Sequence, residues 1–109
     1  MVDKKENIMT ETNILVVDDE KEIADLVEIY LVSDGFKVFK ANSAEDGLKL
    51  IENEDIHLAI LDIMMPGMDG LEMCKKIRET HNFPIILLSA KSADLDKIHA
   101  VIALSASGR

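Results

Sequence analysis

The residues in this chain with chemistry to offer are acids placed where buried strands run out. Ile56-His57-Leu58-Ala59-Ile60-Leu61 is an apolar run that stops at Asp62 and turns through Ile63-Met64-Met65-Pro66-Gly67-Met68-Asp69-Gly70. Such a run reads as a strand covered on both faces, with Pro-Gly marking the turn. A lone Asp at a strand end has a plain reading as a turn former or helix cap. A second strand of the same make shifts the balance, because Asn13-Ile14-Leu15-Val16-Val17 ends in Asp18-Asp19-Glu20. Two buried strands that both end in acid converge on one rim of a parallel sheet, where such sheets bind ligands. Carboxylates meeting there repel one another unless a hard cation sits among them.

Periodicity supplies the elements that position these acids. Ile23, Ala24, Leu26, Val27, Tyr30 and Leu31 form an apolar stripe at helical spacing directly after the first strand. Ser33-Asp34-Gly35 ends that helix, with Gly35 suited to the left-handed position. Residues 36–41 alternate imperfectly, as an edge strand does. Ser43 is placed to cap a second helix near Asp46, with Leu48, Leu50 and Ile51 as its buried face. Residues 70–78 predict a third helix whose inner face carries Leu71, Cys74 and Ile77 or Arg78. Residues 83–90 predict another buried strand, opened by Pro84 and ending in Ser89 just before Lys91. Residues 94–104 place Leu95, Ile98, Val101 and Ile102 at helical spacing and predict a fourth helix; the alternative is that residues 101–106 pair as a strand. Strands alternating with helices over short links call for right-handed crossovers and a parallel sheet. The expected class is therefore an α/β doubly wound fold with Asp18, Asp19, Asp62 and Ser89 along one rim.

At 109 residues the chain allows one small domain. Its 21 acids against 12 basic residues give a net charge of −9, which argues against nucleic-acid binding by this chain itself. The single Cys74 rules out an internal disulfide, points to a reducing compartment and reads as a small core residue. No apolar run reaches membrane-spanning length, and Met1-Val2-Asp3-Lys4-Lys5-Glu6 lacks the apolar core of a signal peptide, so the expected address is the cytoplasm. Residues 1–12 read as a flexible leader. His57, His81 and His99 do not cluster with carboxylates at ligand spacing and read as structural histidines.

Taken together, Val16-Val17-Asp18-Asp19-Glu20, Leu61-Asp62-Ile63-Met64-Met65-Pro66-Gly67-Met68-Asp69-Gly70 and Ile86-Leu87-Leu88-Ser89-Ala90-Lys91 resemble the receiver domain of two-component response regulators. The likeness runs from about Asn13 to about Ile98 and is strongest to the winged-helix transcription regulators of the OmpR and PhoB class. Residues 21–31 are particularly similar to the vancomycin-resistance regulators of that class. The resemblance implies a flavodoxin-like (CheY-like) sheet of strand order 2-1-3-4. It implies that Asp62 accepts a phosphoryl group from a sensor histidine kinase, making the chain a switch and not an enzyme beyond its own magnesium-dependent phosphorylation and dephosphorylation. Mg2+ would be held by Asp19, Asp62 and the Met64 backbone carbonyl, with Asp18 acting through water. Ser89 would contact the phosphate and be drawn inward. By residue type the six methionines read mostly as core and loop filler, although Met64, Met65 and Met68 in the Asp62 loop could form a pliable contact surface for a kinase.

The departures are as informative. The family keeps a lysine at the end of a fifth strand and an aromatic residue on that strand, and neither has a counterpart here. After Ile98 the sequence stops following the family, so residues 13–98 read as the receiver unit and 99–109 as a divergent tail. A missing or replaced fifth strand and helix would favour a homodimer or swapped oligomer. DNA would be reached only through a C-terminal domain missing from a truncated or excised chain. Two other readings compete. One is an inert fragment that sequesters a kinase. The other is a phosphohydrolase of the haloacid dehalogenase kind, which expects its two acids separated by one residue after the first strand, whereas Asp18 and Asp19 are adjacent.

Overall fold

The computed structural model describes residues 11–90 and 98–101. β1 (Asn13–Val17) lies between two parallel neighbours, β2 (Lys37–Ala41) and β3 (Leu58–Asp62), and β4 (Ile85–Ala90) runs parallel to β3. β5 (Ile98–Val101) closes the far edge, giving the order β2-β1-β3-β4-β5. α1 (Lys21–Ser33), α2 (Ala44–Asn53) and α3 (Gly70–Arg78) are the helices among the described residues. β1 and β3 are buried along nearly their whole length, which is why their sequences are continuous apolar runs with no alternation. β2, on the edge, is only half covered.

Successive residues of one strand serve opposite faces of the sheet. Leu15 and Val17 of β1 join Ala59 and Leu61 of β3 beneath α2 and α3, packing with Ile51, Met73 and Ile77. Ile14 and Val16 face the other way with Ile60 and meet Ala24 of α1, backed by Val27 and Leu31. The helix ends follow their local chemistry. Ser43 Oγ accepts from the Asp46 amide at 3.2 Å, and Asp69 Oδ1 accepts from the Glu72 amide at 2.9 Å, each meeting an otherwise orphaned donor. Gly35 takes φ +94° just beyond α1, in the left-handed region that favours glycine.

Three expectations are corrected. Residues 94–104 were expected to be helical, but the described part, Ile98–Val101, is a strand antiparallel to β4, with Leu88 opposite Ala100 and Ala90 opposite Ile98. The physical reason is that the open edge of β4 offers backbone donors and acceptors to any extended partner, whereas a short helix depends on packing for its stability. On α1, Tyr30 leaves the buried stripe and is 66% exposed. On α3 the inner row is Gly70, Met73 and Ile77, with Leu71 exposed and Cys74 half-buried. The helix rotates so that its smallest residue, not Leu71, meets the sheet.

Candidate functional site

Parallel pairing fixes the site. Val17 is level with Leu61, so the residue that follows each, Asp18 and Asp62, emerges on the same rim. One carboxylate oxygen from each of Asp18, Asp19 and Asp62 lies within 4.8 Å of the others. Asp18 and Asp62 are buried, at 3% and 6% exposure, while Asp19 is open to solvent. Asp18 Oδ1 accepts the Glu20 amide at 2.9 Å and Asp62 Oδ1 accepts the Met64 amide at 3.2 Å. Both are the short aspartate-to-backbone bonds that this residue type makes two positions ahead. They aim the carboxylates before any ligand arrives.

The electrostatics follow from this crowding. Burial, followed by the charge of Asp18, pushes the Asp62 carboxyl up to about 7, against the pull of the Met64 amide. Asp18 is also raised, first by burial and then by its acidic neighbours Asp19 and Glu20, with the Glu20 amide opposing. At pH 7 the Asp62 carboxyl is therefore still about half protonated, where an isolated aspartate would have lost its proton. Three hard oxygen donors in this condition suit a small divalent cation, which relieves the repulsion and displaces the proton.

A pH dependence follows. An acid whose folded-state pKa exceeds its unfolded value contributes stability below the unfolded value, and that stability is lost as pH rises through the folded one. For Asp62 the window runs from about pH 4 to about pH 7. Asp25, lowered by its bonds to Lys21 and Lys40, changes its contribution only on the acid side of that window. With a chelator present, the Asp62 contribution to the melting temperature falls by about 5 °C across the window once the open side of the site is allowed for. Saturating Mg2+ restores it at pH 7. Calorimetry of the parent chain and of Asp62→Asn across the window isolates this contribution; a parent that loses nothing relative to the variant would remove the crowding argument.

The other residues singled out from the sequence are placed as follows. Ser89 comes directly after Leu88, the register partner of Asp62, so its backbone lies on the acidic rim. Met64 is 60% exposed beside the cluster, Met65 is buried and Met68 half-buried. His57 lies before β3, at the opposite end of the strand from Asp62, where its Nδ1 accepts the Asn13 amide at 2.9 Å. Lys91 lies outside the described residues. Sequence reading missed Lys40, whose Nζ bridges Asp25 at 2.6 Å and Glu28 at 2.8 Å and ties α1 to β2 beside the acids. It also missed the close seat of Gly70 against the backbone of Asp62. The spacing Asp69-Gly70-Leu71-Glu72 carried the signal for an N-cap followed by a small residue, but nothing that named the contact.

A doubly wound sheet with three carboxylates gathered at one rim defines an α/β module suited to a hard cation. The family model for the response regulator receiver domain matches residues 14–108, and the chain belongs to that family. It is a family of signalling modules, not of ordinary enzymes. The chain is 54% identical over 85 residues to the regulatory protein VanR of Enterococcus faecium, a match covering 78% of this chain and 37% of that one. It thus spans little more than a third of the length of that relative. Among solved structures, the response regulator protein TrrA of Thermotoga maritima with Mg2+ and BeF is 39% identical with TM-score 0.70, covering 79% of this chain and 76% of that one. TrrA in complex with the histidine kinase ThkA is 40% identical with TM-score 0.69, covering 76% and 72%. The described helices include none long and apolar enough to cross a membrane.

Proposed function

We propose that residues 13–98 act as a phosphoacceptor switch in which Asp62 takes a phosphoryl group from a sensor histidine kinase. The observation that carries this is the gathering of Asp18, Asp19 and Asp62 at one rim with Asp62 buried and its carboxyl pushed up to about 7. The Met64 amide bonds Oδ1 of Asp62, and Oδ2 is the oxygen we assign to the attack. Oδ2 forms the new P–O bond while the P–N bond to the donor imidazole breaks, and that nitrogen keeps the electron pair and takes a proton from water. Attack requires Asp62 to be ionised, so the proton that Asp18 and Asp62 hold between them has to leave first. Asp19, Asp62 and the Met64 carbonyl would hold Mg2+, with Asp18 contributing through water. Bound Mg2+ supplies charge neutralisation and polarises the phosphoryl group.

The phosphoryl group carries a charge of about −2 in place of the single charge of the Asp62 carboxylate, and the hydroxyl of Ser89 is the group we assign to meet it. The kinase as donor is supported by the structural likeness to TrrA, which has been solved with a histidine kinase. The regulation of transcription that the resemblance implies is proposed for a longer chain and not for these residues, and the cytoplasm is the compartment in which such a chain would act.

The test uses a small acyl phosphate as donor. In the presence of Mg2+ the chain gains the mass of one phosphoryl group, labile at alkaline pH, and Asp62→Asn gains nothing. Turnover of phosphate esters without a stable mass gain would favour the phosphohydrolase, and no reaction at all would leave the inert fragment standing.

A further inference from the structure

Gly70 opens α3, and its amide donates to the Ile63 carbonyl at 3.1 Å. That bond closes the loop which leaves β3 at Asp62 and returns to the sheet. A side-chain carbon at position 70 would meet the backbone carbonyl oxygen of Asp62 within forbidden distance and the Cα of Ile63 at 2.9 Å. Both contacts are main chain at the end of a buried strand, so neither can swing aside as a side chain can. The start of α3 is therefore pressed directly onto the peptide that carries the Asp62 carboxylate. Asp69, one residue earlier, holds the same helix end through the Glu72 amide.

We infer that Gly70 is a positioning residue for the acidic rim: its bare Cα sets where Asp62 and Met64 stand relative to Asp18 and Asp19. This rests on the function proposed above and adds a residue that touches neither the cation nor the phosphoryl group. A methyl at position 70 has to displace the Asp62–Ile63 peptide, and with it the carboxylate and the Met64 amide bonded to it. A cation site whose donors are spread by even a few tenths of an ångström suits Mg2+ poorly, since that ion demands near-ideal octahedral geometry.

A second glycine provides the control. A side-chain carbon at Gly47 would lie 2.7 Å from Met73 Cε and 2.9 Å from Val17 Cγ2, so Gly47→Ala also crowds the core, but against side chains. Both variants are expected to melt below the parent. Only Gly70→Ala is expected to lose Mg2+ affinity, by about 10-fold or more, measured by calorimetric titration of the unphosphorylated protein at a temperature where each variant is folded. Its rate of phosphoryl uptake should fall in parallel at fixed Mg2+ and recover at high Mg2+. Parental affinity in Gly70→Ala, or an equal loss in Gly47→Ala, would overturn the inference. If Gly70→Ala does not fold, amide hydrogen exchange on the parent decides the matter. Saturating Mg2+ should slow exchange at the Gly70 amide together with that of Met64 by more than it slows Gly47, and a Gly70 amide slowed no more than that of Gly47 would overturn the inference. A parent chain that binds no Mg2+ and accepts no phosphoryl group refutes the proposed function itself, an outcome seen before any variant is made.

Discussion

Asp62→Asn is expected to melt above the parent at pH 7.5 in chelator while losing phosphoryl acceptance altogether. The substitution keeps the shape of the side chain and leaves an oxygen to take the Met64 amide at the Oδ1 position. It removes the charge that burial and Asp18 both oppose. Its new amide N–H can donate to the Asp18 carboxylate in place of the shared proton, so the buried pair remains satisfied. The gain is about 1 kcal/mol at pH 7.5, near 5 °C for a domain of this size, and it shrinks to nothing by about pH 4, where the parent carries the proton already. The chemical loss is complete because the amide has no anionic oxygen to attack phosphorus. Thermal melts at both pH values, read beside intact-mass measurements, check the two halves together. An Asn variant less stable than the parent at pH 7.5 would mean that Asp62 is held by a favourable partner and not by crowding.

Asp19→Asn separates binding from stability in the other direction. Asp19 is exposed and contributes a carboxylate oxygen to the cluster without being part of the core. Its replacement should change folding stability by no more than about 0.5 kcal/mol. Mg2+ affinity should nevertheless fall by at least about 10- to 100-fold, since even groups that only support a metal ligand are worth that much. Titration calorimetry on the parent and the variant measures this directly. Affinity equal to that of the parent would place the cation somewhere other than the three-aspartate rim.

The acidic rim was legible in the sequence because two simple signals coincided: apolar runs short enough to be buried strands, and acids immediately after each. Parallel pairing then left Asp18 and Asp62 no choice but to meet. Ser43 and Gly35 were legible for a similar reason, as their chemistry is local. The helix expected over residues 94–104 failed at Ile98–Val101 because apolar spacing there fits helix and strand equally, and the deciding factor was the open edge of β4, whose pairing no periodicity reports. Leu71 and Tyr30 were assigned to buried stripes by their apolarity, yet the rotation of each helix is set by what it packs against. The seat of Gly70 and the bridge from Lys40 to Asp25 and Glu28 were hidden because each is a contact between elements, and neither residue type announces its partner.

The sense of β5 bears on how an acyl phosphate at Asp62, as proposed above, would be neutralised. Running backwards along β4, it brings its last residue, Val101, level with Leu87 and away from the rim. The end of β5 therefore leads away from the acceptor, where a parallel strand would lead toward it. On the proposed function, a doubly charged phosphoryl group draws no balancing charge from that strand end, so persistence of the modified state should track free magnesium more steeply than in a sheet whose outermost strand points the same way as the rest.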